Sequence, residues 1–125
     1  MNTSITKTSR IPFGLLLLLG FHIHLTANAQ SANEIRGQVN DETGQPIAYA
    51  SVMARNQSTG ANATTQTDSL GIFTYRNLPA GGPYSFTVSH VGFQTQTLSG
   101  YTIKTDANIS LLVKLKAVEN GLNEI

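Results

Sequence analysis

The chain has 125 residues, with eight basic and seven acidic side chains, a formal net charge of +1 and no cysteine. This length suits one domain, and the lack of cysteine excludes disulfides and thiolate metal sites. Two of the basic residues, Lys7 and Arg10, lie near the N-terminus, so the part beyond residue 29 has six basic against seven acidic residues. It has no basic surface for phosphates, and nucleic acid is not expected as a partner.

The N-terminal segment has the composition of a secretory leader. An apolar run at 11–25 follows the two basic residues, and Ala27 and Ala29 form a small-residue cleavage pattern. A membrane anchor is the alternative, but the run has about 15 residues and a spanning helix needs about 20. We therefore predict a signal peptide over residues 1–29, a mature N-terminus at Gln30, and a short linker over 30–33.

Beyond the leader, apolar and polar residues alternate with a period of two. The apolar positions that alternate in this way fall in five segments, in chain order: Ile35, Gly37 and Val39; Ala50, Val52 and Ala54; Phe73 and Tyr75; Tyr84, Phe86 and Val88; and Ile109, Leu111, Val113 and Leu115. One face of each segment is rich in Ser, Thr and charge, as half-buried antiparallel strands require. The pattern predicts Phe73 and Phe86 in the core.

Turn residues separate these segments. The separators are "NDETGQP", "STGAN", "DSLG", "LPAGGP" and "VGF", and the stretch Thr67–Thr97 reads as strand, turn, strand, turn, strand. Such spacing indicates about seven short strands and favours an all-β, antiparallel β-sandwich over residues 34–116. A closed barrel is the alternative architecture. Residues 117–125 break the alternation, and we predict that they form a tail.

No residue pattern of a catalytic, metal or cofactor site is present. Asp68 in "TDSLG" offers one charged oxygen ligand where a calcium loop needs several, so we interpret it as a turn cap. His90 is the one histidine beyond the leader, and it lacks an identifiable nucleophile or ligand partner, so we interpret it as a packed, hydrogen-bonded residue. Neither H-x-x-E nor H-E-x-x-H occurs. We predict no catalytic residue, no metal and no cofactor.

Tyrosines are the remaining candidates for a ligand surface. Tyr75 and Tyr84 lie on apolar strand faces and are predicted to be core residues, whereas Tyr49 and Tyr101 are predicted to lie at the surface. These two could line a sugar-binding or peptide-binding surface, although the chain has no tryptophan for such a platform.

The order of these elements resembles a known family. "IRGQVNDETGQPIAYASVMARNQSTG", "TQTDSLGIFTYRNLPAGGPYSFTVSHVGFQTQT" and "ISLLVKL" together resemble the carboxypeptidase regulatory-like domain. This resemblance implies a transthyretin-like, seven-stranded sandwich. Metallocarboxypeptidases place their zinc and catalytic glutamate in a separate domain, so the resemblance implies a non-catalytic module.

The sequence is most similar to the copies at the N-termini of TonB-dependent outer-membrane receptors. In those receptors the sandwich follows the signal peptide and precedes a plug and a barrel. The ending "LKAVENGLNEI" resembles the passage from sandwich to plug. The resemblance implies export to the periplasm or outer membrane of a Gram-negative cell, as a fragment or a truncated product. The plug and barrel, or other periplasmic proteins, would be its partners. The alternative is a stand-alone exported module that binds carbohydrate or peptide.

Overall fold

The computed structural model describes residues 32–119, which form seven β-strands and contain no helix. The strands are β1 (Glu34–Asp41), β2 (Ser51–Asn56), β3 (Asn62–Gln66), β4 (Ile72–Arg76), β5 (Gly81–Ser89), β6 (Gln96–Ile103) and β7 (Asn108–Leu115). Within this part of the chain, no helix is long and apolar enough to cross a membrane. The predicted signal peptide over 1–29 and the end of the predicted tail lie outside the described residues.

The seven strands form two separate sheets. One has three strands in the order β4-β1-β7, and the other has four in the order β3-β2-β5-β6. The two sheets enclose one apolar core. This arrangement confirms the predicted β-sandwich and differs from the closed barrel that was its alternative.

One strand pairing corrects the prediction of an antiparallel sandwich. Four pairings are antiparallel, namely β1–β4, β2–β3, β2–β5 and β5–β6, but β1 and β7 run parallel over their full length. Alternation within a strand does not define the direction of its neighbour. Two parallel neighbours need a long connection between them. In this chain the connection from β1 to β7 contains all five other strands.

The alternating apolar residues meet between the sheets. Phe73 and Phe86 are fully buried, which confirms their predicted place in the core, and Tyr75 and Tyr84 are buried with them. The complete core is Ile35, Val39, Ile47, Ala50, Val52, Ala54, Phe73, Tyr75, Leu78, Tyr84, Phe86, Val88, Ile103, Leu111, Val113 and Leu115. With no disulfide present, burial of this apolar surface is the main force that holds the domain together.

Two loops of the form Asp-x-x-Gly share the same hydrogen bonds. In each, the Asp Oδ1 accepts hydrogen bonds from the backbone N–H groups two and four residues later, at 2.9 Å in every case. Asp41 begins the first loop and Asp68 the second, and Gly44 and Gly71 each have a positive φ. The interpretation of Asp68 as a turn cap is therefore confirmed. The Thr43 hydroxyl, which also bonds to Asp41, is the main cause that lowers the pKa of that carboxyl from 3.8.

The chain enters and leaves the sandwich at opposite ends. Glu34 begins β1 beside Ala107, whereas β7 ends at Leu115, level with the end of β1. Beyond β7, the N–H of Gln94 donates to the carbonyl of Lys116 at 2.8 Å, and the N–H of Val118 donates to the carbonyl of Gly92 at 2.9 Å. The start of the predicted tail thus pairs with the connection between β5 and β6.

Candidate interaction surface

Tyr49 is the most exposed aromatic residue of the described chain. Its side chain is 70% exposed, and it lies in the turn that leads into β2. Its φ is +59°, in the left-handed region that bulky side chains rarely adopt. A non-glycine residue in this region costs of order 1–3 kcal/mol, so the surrounding structure must impose this conformation.

Thr67 imposes that conformation from the inside. Its buried hydroxyl donates to the carbonyl of Ile47 at 2.7 Å and accepts from the N–H of Ala50 at 2.8 Å. Its backbone carbonyl accepts from the N–H of Tyr49 at 3.1 Å, and its own N–H donates to the carbonyl of Ala50 at 2.9 Å. The four hydrogen bonds of Thr67 therefore fix the conformation of the turn. The exposed ring of Tyr49 projects from this rigid turn.

The ring borders an open groove of about 460 Å³. Its lining consists of Tyr49, Ser51, Ser89, His90 and Val91. The groove forms because the start of β2 pairs with the end of β5, which places Ser51 opposite Ser89. Val91 in the following turn is 93% exposed. A ring and a valine thus offer apolar contact, while two hydroxyls and an imidazole offer hydrogen bonds.

His90 is half-buried at the end of β5 and packs within its own loop. Its Nδ1 lies 2.9 Å from the carbonyl oxygen of Val91, and its ring meets that of Phe93 edge-on at 5.6 Å. This placement agrees with the interpretation of His90 as a packed, hydrogen-bonded residue. Over residues 32–119, no three His, Cys, Asp or Glu side chains are grouped to hold a metal ion.

The structure does not bring Tyr101 to this groove. Tyr101 lies on the inner face of β6, half-buried, with its ring 5.7 Å from that of Phe86. It pairs with Tyr84, five residues before Ser89 on β5, so it lies roughly 17 Å along the strand from the groove. Of the two tyrosines predicted at the surface, the structure displays Tyr49 and packs Tyr101 against the core.

Sequence reasoning missed the other lining residues of the groove. Ser51, Ser89 and Val91 belong to a strand start, a strand end and a turn, and none of these stretches has an unusual composition. The pairing of β2 with β5 brings them together. The one local signal was Val91, an apolar residue next to Gly92 in a turn, where burial is rare.

The sequence matches the model of a known protein family. Residues 34–116 match the model described as the carboxypeptidase regulatory-like domain. A search of curated proteins finds no match to the chain. The family match covers all seven strands and includes every residue that lines the groove.

Comparison with solved structures finds similar folds in larger enzymes. Catechol 1,2-dioxygenase from Pseudomonas arvilla C-1 aligns with a TM-score of 0.58 and 14% identity, over 80% of this chain and 57% of that one. Chlorocatechol 1,2-dioxygenase from Pseudomonas putida aligns with 0.54 and 17%, over 69% and 60%. Mercury-inhibited catechol 1,2-dioxygenase from Acinetobacter sp. ADP1 aligns with 0.57 and 13%, over 77% and 56%. This chain spans less than two thirds of each of them, and such low identities establish a shared fold alone.

Proposed function

The chain belongs to the carboxypeptidase regulatory-like domain family, and from this premise we propose that it is an exported, non-catalytic interaction module. We propose further that it serves as the N-terminal periplasmic extension of a TonB-dependent outer-membrane receptor. The family's sandwich is a non-catalytic module, which supports the first proposal. The leader-like residues 1–29 and the resemblance of the sequence to receptor N-termini support the second.

The position of the groove beside Tyr49 supports the proposal most directly. Val91, on its rim, precedes Gly92, and Gly92 pairs with Val118 where the described chain leaves the sandwich. A rigid aromatic residue at this end faces whatever follows the domain. Exposed tyrosines supply contact area at a low cost in conformational entropy. A segment beyond the sandwich, such as a receptor plug, would meet this surface first.

The test has a genetic step and a binding step. We expect the reading frame in the coding DNA to continue beyond Ile125 into a plug and membrane-spanning strands. We then expect the purified plug region from that frame to bind the chain, and to bind Tyr49→Ala at least about tenfold more weakly. Thr105→Ala, exposed at the opposite end, is the matched control and should bind normally. A stop codon followed by a well-separated gene would rule out the receptor role.

The second candidate is a stand-alone module that binds carbohydrate or peptide. The same ring favours it, because Tyr49 stands beside the hydroxyls of Ser51 and Ser89, and sugar faces pack on aromatic rings while their hydroxyls need hydrogen-bond partners. A glycan array and a peptide array, each probed with the purified chain, test this function. Binding that is lost in Tyr49→Ala and kept in Thr105→Ala would favour it, and no binding to any glycan or peptide would exclude it.

We also propose that the chain has no hydrolytic activity. Catalysis needs converging groups with matched pKa values or an open metal site, and the groove offers one imidazole whose Nδ1 already contacts a backbone carbonyl. The purified chain should hydrolyse no peptide, ester or glycoside, with or without added zinc. Turnover that survives repurification and disappears in His90→Ala would contradict the interaction-module proposal.

A further inference from the structure

The two sheets have four edge strands, and three of them have features that discourage pairing with another chain. β3 and β4 have five residues each. β6 has two register shifts against β5, and its Gly100 has a positive φ. Short strands and bulges are two of the ways in which natural proteins protect sheet edges.

β7 is the exception among these edges. It has eight residues, pairs with β1 in unbroken register and contains neither Pro nor Gly. Its one charged side chain is Lys114. Within residues 32–119 no strand pairs with its outer edge, and none of its residues joins the loop and turn backbone hydrogen bonds. A regular edge of this length presents a row of free backbone donors and acceptors that can pair with another strand.

The outward face of β7 is also apolar at its centre. Leu112 is 72% exposed, and it borders a shallow groove of about 280 Å³ on the outside of the three-stranded sheet. Its neighbours on that face of the strand are Ser110 and Lys114. An exposed leucine at the middle of an open edge adds side-chain contact to any backbone pairing there.

We propose that β7 pairs antiparallel with β7 of a second copy of this chain, across a two-fold axis at Leu112. The two three-stranded sheets would then join into one sheet of six strands. A two-fold interface uses the same patch on both copies, and an antiparallel strand pair has this symmetry. The proposal goes beyond the role as an interaction module, because it concerns self-association of the isolated chain.

The register follows from the two faces of the strand. Inward residues must stay opposite inward residues, because a shift of one position would move every side chain to the wrong face. With Leu112 opposite its own copy, Leu111 lies opposite Val113 and Ile109 lies opposite Leu115 on the inner face. On the outer face, Lys114 lies opposite Ser110 of the other copy.

This self-pairing satisfies the charge requirement of a sheet edge. Like charges directly opposite each other destabilise a strand pair, but the single lysine meets a serine. In this register, β7 is complementary to a second copy of itself in the polarity of its side chains as well as in its backbone hydrogen-bonding groups. That self-complementarity is why we commit to a second copy in preference to a strand of another protein.

A single-cysteine variant provides the sharpest test. The natural chain has no cysteine, so Leu112→Cys introduces one thiol per copy. Directly opposite residues of an antiparallel pair have Cα atoms about 4.5–5.5 Å apart, within the range a disulfide spans. The chain is expressed from Met1 and purified, and under mild oxidation Leu112→Cys should form a covalent dimer. Leu70→Cys, 63% exposed before β4 on the other edge of the sheet, is the matched control and should stay monomeric.

Sedimentation of the chain without cysteine gives an independent readout. We expect a monomer–dimer equilibrium. Its dissociation constant should rise about fivefold or more in Leu112→Arg, because this substitution places two positive charges opposite each other at the two-fold axis. Leu70→Arg should leave it unchanged. A natural chain that stays monomeric at every concentration, or equal disulfide yields from both cysteine variants, would overturn the proposal. If the β7 amides became protected from hydrogen exchange only when another periplasmic protein was added, the proposal would also be wrong. A strand of that protein would then be the partner of β7.

Discussion

Two buried polar side chains, Thr67 and Tyr75, hold together parts of the molecule that are distant in sequence. Thr67 ties the turn of Tyr49 to the strand connection that follows β3. Tyr75 lies on β4 of one sheet, and its hydroxyl oxygen lies 2.6 Å from the carbonyl of Val52 and 3.1 Å from that of Ala63, in the other sheet. Both act through side-chain hydrogen bonds to backbone groups of other strands or turns.

Removal of the Thr67 hydroxyl should destabilise the domain. Thr67→Val keeps the shape of the side chain but leaves the carbonyl of Ile47 and the N–H of Ala50 without that partner. We expect urea unfolding to show a loss of about 1–3 kcal/mol. Thr67→Ser keeps the hydroxyl and is the control, with a smaller loss. Equal losses in the two variants would mean that the methyl group, and not the hydrogen bonds, matters at this position.

Tyr75 should make the stability of the fold depend on alkaline pH. Burial raises its pKa from 10.0 to about 12, so the folded state favours the neutral phenol. Its contribution is complete below pH 10, where the unfolded chain also keeps the proton, and is lost as the pH rises towards 12. The urea midpoint of Tyr75→Phe should be lower at neutral pH and fall less between about pH 10 and pH 12. If the urea midpoints of the natural chain and of Tyr75→Phe fell equally over that pH range, Tyr75 would not be the source of the pH dependence.

At the scale of the element, the two Asp-x-x-Gly loops share the same local hydrogen bonds but lie in different surroundings. Both use an aspartate to cap backbone N–H groups and a glycine with positive φ. A Cβ at Gly44 would meet nothing within 4 Å, whereas a Cβ at Gly71 would lie 2.6 Å from the carbonyl oxygen of Val39. The second loop is therefore packed against β1, and the first is open to solvent.

Alanine substitution should separate the cost of backbone conformation from the cost of packing. Gly44→Ala should lose about 1–2 kcal/mol, since only the left-handed conformation is penalised. Gly71→Ala should lose about 2–5 kcal/mol, because the backbone of Val39 must also move. Urea unfolding of both variants measures the difference. Similar losses would show that the loop at Gly71 relaxes without disturbing β1.

Phe73 tests the packing between strands. It pairs with Gly37 across β1 and β4, and a Cβ on Gly37 would lie 2.1 Å from its ring. The ring thus fills the space that the glycine leaves. Phe73→Ala should cost about 3–5 kcal/mol in chemical denaturation. A loss below about 1 kcal/mol would mean that the ring does not contribute to the core as its burial implies.

At the scale of the whole molecule, the parallel pairing of β1 and β7 sets the direction of the chain. It places the entry beside Ala107 at one end and the exit beside Gly92 at the other. The groove with Tyr49 lies at the exit end, and any segment that precedes Asn33 joins at the far end. Cleavage of the predicted leader would therefore act at the end of the sandwich opposite to the proposed interaction surface.

The mature N-terminus should be Gln30. Ala27 and Ala29 fit the small-residue pattern that signal peptidases cleave, and this segment lies outside the described residues. Mass spectrometry of the periplasmic fraction should find a chain that begins at Gln30. Bulky substitutions at Ala27 and Ala29 should leave the precursor uncleaved, with Thr26→Ser as the control. A periplasmic protein with Met1 intact would contradict the prediction.

The sequence alone determined the local features, because their causes are local. A period of two defines which side chains of a strand face inward, so Phe73, Tyr75, Tyr84 and Phe86 could be assigned to the core. The capping bonds of Asp68 span four residues and could be inferred from "DSLG". β3 (Asn62–Gln66) has no clear apolar alternation, because it is an edge strand with both faces partly exposed; turn spacing alone indicated it.

Tertiary structure decided the features that depend on contacts between distant parts of the chain. The parallel direction of β7 follows from its pairing with β1, more than 60 residues away in the sequence. The groove needs β2 beside β5, and the strained φ of Tyr49 needs Thr67 beneath it. Tyr101 is packed because a register irregularity in β6 turns it inward against Phe86. Backbone pairing and packing between remote segments create these features, and no window of neighbouring residues contains them.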